Sequence, residues 1–139
     1  MMKIATAQLW VLDQQEALDF YTKKVGLEVR SDVTMPEMGD FRWLTVGPAG
    51  QEDVAIVLMA IPGEPVLDAD TGAQLRELTA KGATGTIFLT TEDIDTEYAE
   101  LGARGIEFTQ PLTDMPYGRD FAFQDPSGNN VRVAQLAPM

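Results

Sequence analysis

Val131-Arg132-Val133 alternates with the period of a strand, so the two valines share one face and a guanidinium stands on the other. A cation placed this way either orients a carbonyl-bearing or anionic ligand or is neutralised inside the protein, with Glu107 and Asp120 as candidate partners. The same alternation near the start puts Ala5, Ala7, Leu9 and Val11 on one face and Thr6, Gln8 and Trp10 on the other. An indole offers a face for stacking, and a carboxamide offers direction. Beyond these the chemical inventory is thin. The chain has no histidine and no cysteine, which removes a Ser-His pair, a thiolate nucleophile, disulfides, and imidazole or thiolate metal ligands. Ser31 and Ser127 are its serines. Acid-base work falls to a carboxylate or a tyrosine, with Glu28, Glu107 and Tyr117 as candidates. An all-oxygen metal site would draw on Glu28, Asp32, Glu37 and Asp40, which fall near a strand end and in a loop, where solvated charge is the ordinary reading. There is no glycine-rich phosphate loop.

These residues need a scaffold, and the chain is long enough to build one. At 139 residues with 45% apolar content it suits a single globular domain, residues 1–139, with one good core. Its net charge of -12, from 22 acidic against 10 basic residues, repels phosphate backbones and anionic membrane surfaces, so nucleic acid and membrane are poor partners. No stretch approaches the ~20 apolar residues of a membrane span. The start lacks the apolar run and cleavage pattern of a signal peptide, and the absence of cysteine fits a reducing compartment; the expectation is a cytoplasmic protein.

Local patterns predict the elements. A strand over residues 3–12 leads to Asp13, which can cap a helix carrying Ala17, Leu18, Phe20, Tyr21 and Val25 and ending at Gly26. Strands follow at about 27–34, 41–47 and 53–60, separated by Pro36, Gly39 and the Gly47-Pro48-Ala49-Gly50 turn. The plan then repeats: a strand at about 84–91, a helix at about 93–103, Gly105, and strands near 106–110, 119–124 and 129–136. Gly26-Leu27-Glu28-Val29 and Gly105-Ile106-Glu107-Phe108 occupy equivalent places, about 79 residues apart, which marks an internal duplication. Module 1 spans about 1–60 and module 2 about 83–139. The linker between them, 61–82, opens with Ile61-Pro62-Gly63-Glu64-Pro65 and holds a short helix at about 71–81, amphipathic through Leu75 and Leu78.

The turn Asp125-Pro126-Ser127-Gly128-Asn129-Asn130, together with Val11-Leu12-Asp13 followed by Ala17-Leu18-Asp19-Phe20-Tyr21 and then Gly26-Leu27-Glu28-Val29, resembles the vicinal oxygen chelate superfamily of glyoxalases, ring-cleaving dioxygenases and bleomycin- or fosfomycin-resistance proteins. The resemblance covers nearly the whole chain. It implies an α+β fold of two tandem βαβββ modules, whose curled mixed sheets surround a ligand cup. Ala7, Leu9, Val11, Ile56, Leu58, Ile87, Leu89, Val131 and Val133 would pack under the helices. Metal-dependent relatives take ligands from four inward positions, which here hold Thr6, Val57, Thr86 and Arg132; the resemblance therefore implies a member without metal or other cofactor. The cup would contain Gln8, Trp10, Trp43, Met59, Phe88 and Arg132, with Tyr117 and Arg119 on a loop at its mouth. The function expected is metal-independent small-molecule binding by a homodimer that sequesters a hydrophobic or aromatic compound. The alternative is a glyoxalase-like lyase or isomerase of the same fold, using side-chain carboxylates or a relocated metal. A pure interaction module is the third reading.

Overall fold

The computed structural model describes residues 1–138. Each α-helix begins where an aspartate can satisfy an otherwise unpaired backbone N–H. Asp13 accepts from Glu16 N at 2.9 Å, Asp68 from Thr71 N at 2.7 Å and Asp93 from Thr96 N at 3.2 Å, which starts α1 (Gln14–Asp19), α2 (Ala69–Ala80) and α3 (Ile94–Ala103). The first helix is not uniform, as the sequence pattern had implied. It widens into a π-helical segment, Phe20–Val25, in which Thr22 Oγ1 donates to Leu18 O at 2.7 Å, and Gly26 at φ 93° ends it. The linker helix starts earlier than expected because Asp68 caps it. Its buried residue is Thr79, bonded to Leu75 O, whereas Leu78 is exposed, so the expected stripe through Leu75 and Leu78 is not what anchors it.

The strands are β1 (Thr6–Val11), β2 (Glu28–Met35), β3 (Phe41–Gly47), β4 (Ala55–Ala60), β5 (Thr86–Thr90), β6 (Phe108–Met115), β7 (Gly118–Gln124) and β8 (Asn130–Leu136). They form two four-stranded mixed sheets of matching order, β1-β4-β3-β2 and β5-β8-β7-β6. The fold is α+β, with two tandem modules and no closed barrel. β6 is longer than its expected 106–110, because Pro111 lies on an edge strand whose register slips between Gln110 and Thr113, where a missing N–H costs little. Residues 114–119 are therefore the arms and tip of a β6–β7 hairpin rather than a free loop.

One face of each sheet lies under helices. Leu9, Val11, Leu44, Val46 and Leu58 from module 1 join Phe121, Phe123, Val131 and Val133 from module 2 in one cluster, together with Ala17 and Tyr21 before them and Ile94 and Leu101 on α3. At about 1.5–3 kcal/mol for each large apolar side chain fully buried, this shared face supplies the main driving force. The two halves are also pinned. Ser127 Oγ accepts from Leu12 N at 2.8 Å and Asn129 Nδ2 donates to Trp10 O at 2.8 Å. Asp125 Oδ1 takes Ser127 N and Asn129 N, both at 2.9 Å, and its Oδ2 takes the buried Tyr21 hydroxyl at 2.7 Å. Burial, the Asp125 charge and that bond together push the Tyr21 hydroxyl far above its ordinary value. Gly128, at φ 106°, cannot carry a side chain here: a Cβ would run into the carbonyl oxygens of Thr79 and Ala80 at the end of α2.

Candidate functional site

The faces turned away from the helices carry the candidate site. Strand registers place Gln8 beside Val57 and Thr45 beside Val57 in module 1, and Phe88 beside Arg132 and Ala122 beside Arg132 in module 2. Period-2 alternation extends each set. Thr6, Trp10, Trp43 and Met59 share the first face; Thr86, Thr90, Asp120 and Ala134 share the second. These two faces are open in the single chain rather than closed on each other. Thr6, Gln8, Thr86 and Thr90 are exposed, Trp10, Trp43, Met59 and Arg132 are partly buried, and Phe88 is 74% exposed.

On the module 2 face, Arg132 is held by a compact polar network. Its Nη2 donates to Asp120 Oδ2 at 2.9 Å and to Gln110 Oε1 at 2.5 Å, while Gln110 Nε2 donates to Asp120 Oδ1 at 2.6 Å. The Tyr117 hydroxyl, folded back from the hairpin tip, donates to Asp120 Oδ2 as well. Asp120 is 1% exposed. Burial by itself would raise its carboxyl, but the hydrogen bonds from Tyr117, Arg132 and Gln110 outweigh that and hold it below the ordinary carboxylate range. The same contacts act in reverse on the partners, since the bond to Asp120 raises both the Tyr117 hydroxyl and the Arg132 guanidinium. Of the two partners expected for Arg132, the fold selects Asp120; Glu107 is exposed and outside the network.

The module 1 face has a different composition. Val57 and Thr45 are buried at its centre, with Trp43, Met59 and Trp10 around them and Gln8 towards the open edge. Its polar backbone is also unusual: Gln14 Nε2 donates both to Arg42 O at 3.1 Å and to Leu58 O at 2.9 Å, spanning β3 and β4.

The eight residues expected at the site divide accordingly. Gln8, Trp10, Trp43 and Met59 lie together on the module 1 face, and Phe88, Arg132 and Tyr117 on the module 2 face. Arg119 does not join them. It shares β7's helix-covered side with Phe121, and its guanidinium is bonded to Asp95 on α3 at 3.0 and 3.2 Å, with Asp114 at 3.4 Å. Expecting a loop at residues 114–119 concealed the alternation that sends Arg119 one way and Asp120 the other. Sequence reasoning missed Gln110 as a network member, since its role depends on β6 reaching past Pro111. It also missed Gln14, for which the sequence carries no signal beyond its place after a capping aspartate.

A divalent metal does not fit these faces. At the four inward positions the chain offers two threonine hydroxyls, an isopropyl group and a guanidinium already paired with Asp120. Of the carboxylates considered, Asp32 is engaged by Arg42 at 2.8 and 2.9 Å, and among the described residues no group of three or more carboxylates gathers where an ion could be held. Nor is any described helix long and apolar enough to cross a membrane.

Comparison with known proteins agrees with this architecture. The family model of the Glyoxalase/Bleomycin resistance protein/Dioxygenase superfamily matches residues 3–133. The uncharacterized protein YurT of Bacillus subtilis (strain 168) is 33% identical over 135 residues, covering 96% of this chain and 99% of its own. The crystal structure of UcmS2 superposes with a TM-score of 0.87 at 38% identity, over 96% of this chain and 98% of that one. TnmS3, an antibiotic binding protein from Streptomyces sp. CB03234, superposes with a TM-score of 0.73 at 27% identity, over 99% and 98% of the two chains.

Proposed function

Since the chain belongs to the glyoxalase/bleomycin resistance protein/dioxygenase superfamily, we propose that it is a small-molecule binding protein that sequesters a flat, largely apolar aromatic compound without the help of a metal. The observation that carries this reading is the division of the aromatic rings. Every ring pair in the described structure is made by Phe20, Tyr21, Tyr98, Phe108, Phe121 and Phe123, all belonging to or packed against the helix-covered core. Trp10, Trp43 and Phe88 enter none of these pairs and stand on the open faces, where a planar ligand can stack. Similarity to TnmS3, an antibiotic binding protein, supports a ligand of that general class.

Arg132 gives the ligand a direction. Among the described residues its Nη2 alone is engaged, which leaves Nη1 and Nε to meet a carbonyl or anionic group. Asp120 already accepts from three side chains, which lowers its basicity and argues against a general base there. Because the two faces are open in one chain, the cup is completed in a homodimer, with module 1 of one chain over module 2 of the other. The exposure of Phe88, 74% in the single chain, supports this assembly, which would cover it.

Titrating the protein with proflavine and with 1-anilinonaphthalene-8-sulfonate, a planar cation and an aromatic anion, tests the reading through tryptophan fluorescence. Saturable quenching by either one is expected, unchanged by a chelator and with no stoichiometric metal found by elemental analysis after dialysis. No saturable quenching, or a metal near one equivalent whose removal abolishes binding, overturns it. Mixing Trp43→Ala chains with Arg132→Ala chains tests the assembly. Shared cups regenerate one intact site per mixed dimer, whereas cups built within one chain stay defective throughout.

A further inference from the structure

In an antiparallel pair, the carbonyl groups facing the neighbouring strand are ordinarily met by that strand's N–H groups. β7 and β8 keep their register along the full length of both strands, from Gly118 opposite Leu136 to Gln124 opposite Asn130. β3 and β4 pair only at Thr45 opposite Val57 and Val46 opposite Ile56, although β3 reaches back to Phe41 and β4 runs on to Ala60. Continued by its own register, that ladder would bring Leu44 opposite Leu58, Trp43 opposite Met59 and Arg42 opposite Ala60. Instead, the carbonyls of Arg42 and Leu58 both accept from Gln14 Nε2, at 3.1 and 2.9 Å. A carboxamide nitrogen carries two hydrogens, one for each strand. Among the described residues module 2 shows no such bridge: Ile94 follows the capping Asp93 as Gln14 follows Asp13, and Ile94 is fully buried with an apolar side chain.

We infer that Gln14 is a positioning residue that holds the β3–β4 seam open, so that Trp43 and Met59 stand apart and admit the edge of a flat aromatic ligand between them. A zipped seam would set the two as a close cross-strand pair, with Cβ atoms about 4.5–5.5 Å apart and the indole packed on the thioether. The open seam leaves the indole face available, and Gln14 satisfies the two carbonyls whose exposure would otherwise pull the strands together. The ligand half of this inference rests on reading the module 1 face as a ligand platform; the seam itself does not.

The test is Gln14→Leu, which removes both donors at similar volume, followed by backbone amide hydrogen exchange and by proflavine titration. Exchange at Leu44 and Ala60 is expected to slow as the strands pair, and the dissociation constant is expected to rise roughly tenfold, the size of losing one well-placed aromatic contact. If Gln14 merely caps a strand end, exchange across β3 and β4 quickens, the melting temperature falls and affinity per folded chain is unchanged, which overturns the inference. Should Gln14→Leu fail to fold, Gln14→Asn, one methylene too short to reach both carbonyls, carries the same expectations. A wild-type chain that binds neither aromatic probe sinks the ligand platform, while exchange at Leu44 and Ala60 in the variant still decides the seam.

Discussion

Val57 and Arg132 occupy the same place in the two modules: each lies beside the first strand of its sheet, next to Gln8 and Phe88 respectively, and across from Thr45 and Ala122. Two residues before those neighbours stand Trp43 in one module and Asp120 in the other. The repeated plan therefore bears an indole and a valine on one face and a carboxylate and a guanidinium on its counterpart. On the helix-covered side the modules agree, with Leu44, Val46 and Leu58 matched by Phe121, Phe123 and Val133. Packing against a helix accepts apolar side chains of suitable volume and little else, whereas an open face is held only by what it must touch. On the proposed function, module 1 is the stacking surface and module 2 the polar wall that orients.

The contrast is broken most directly at Asp120. Asp120→Ala leaves Arg132 without its carboxylate and should cost about 2–3 kcal/mol of stability by urea unfolding, somewhat less than a fully buried pair because Arg132 is part-exposed. Trp43→Ala, at the equivalent place, should cost clearly less. If the two are equal, the modules differ in appearance only. The double replacement Asp120→Leu with Arg132→Met should recover most of the loss, since an apolar pair needs no partner.

Binding should divide the other way. Trp43→Ala is expected to weaken proflavine by about 1–3 kcal/mol, while Arg132→Ala weakens the anionic probe with little effect on the cation. Arg132→Ala that unfolds the protein while leaving the anion's affinity intact would reduce module 2 to scaffolding.

Tyr21→Phe, which removes a donor from the buried Asp125 at the join, should cost about 1–2 kcal/mol. Because one core serves both modules, the loss should appear in a single transition. Both tryptophans lie in module 1, so tryptophan fluorescence and circular dichroism should report the same midpoint. Separate midpoints would mean that the modules unfold independently.

The smallest effect is on acid stability. A carboxyl whose value is depressed by folding, as Asp120's is, contributes stability above its unfolded value of about 3.9 and loses it as pH falls through the folded value. Asp120→Asn should therefore flatten the fall in urea midpoint from about pH 5 downward. Asp32, depressed by its hydrogen bonds to Arg42 on the more solvated module 1, should contribute less. A variant as acid-sensitive as the wild type would place the acid limb elsewhere.

Much of this architecture was legible because it is written in local chemistry. Aspartates 13 and 93 start helices, Gly26 ends one, the Asp125–Asn130 turn joins two strands, and period-2 alternation assigns Leu9 and Val133 to the core and Trp10 and Arg132 away from it. Errors arose where a local signal was overruled at a distance. Pro111 reads as a strand end and is tolerated on an edge, and Leu78 reads as an anchor although Thr79 takes the buried place.

The sequence by itself determined the duplication, the lack of imidazole and thiolate donors, and the placing of Trp10 and Arg132 away from the core, since each follows from residue type and spacing along the chain. Tertiary structure alone decided that Arg132 is paired with Asp120 and Gln110, that Arg119 turns to α3, that Gln14 bridges an unzipped seam, and that the two faces remain open in one chain. The physical reason is range. Caps, turns and alternation act over a few residues, whereas a hydrogen bond between Gln14 and Leu58, or between Trp10 and Asn129, exists only once the sheets have brought distant backbone within about 3 Å.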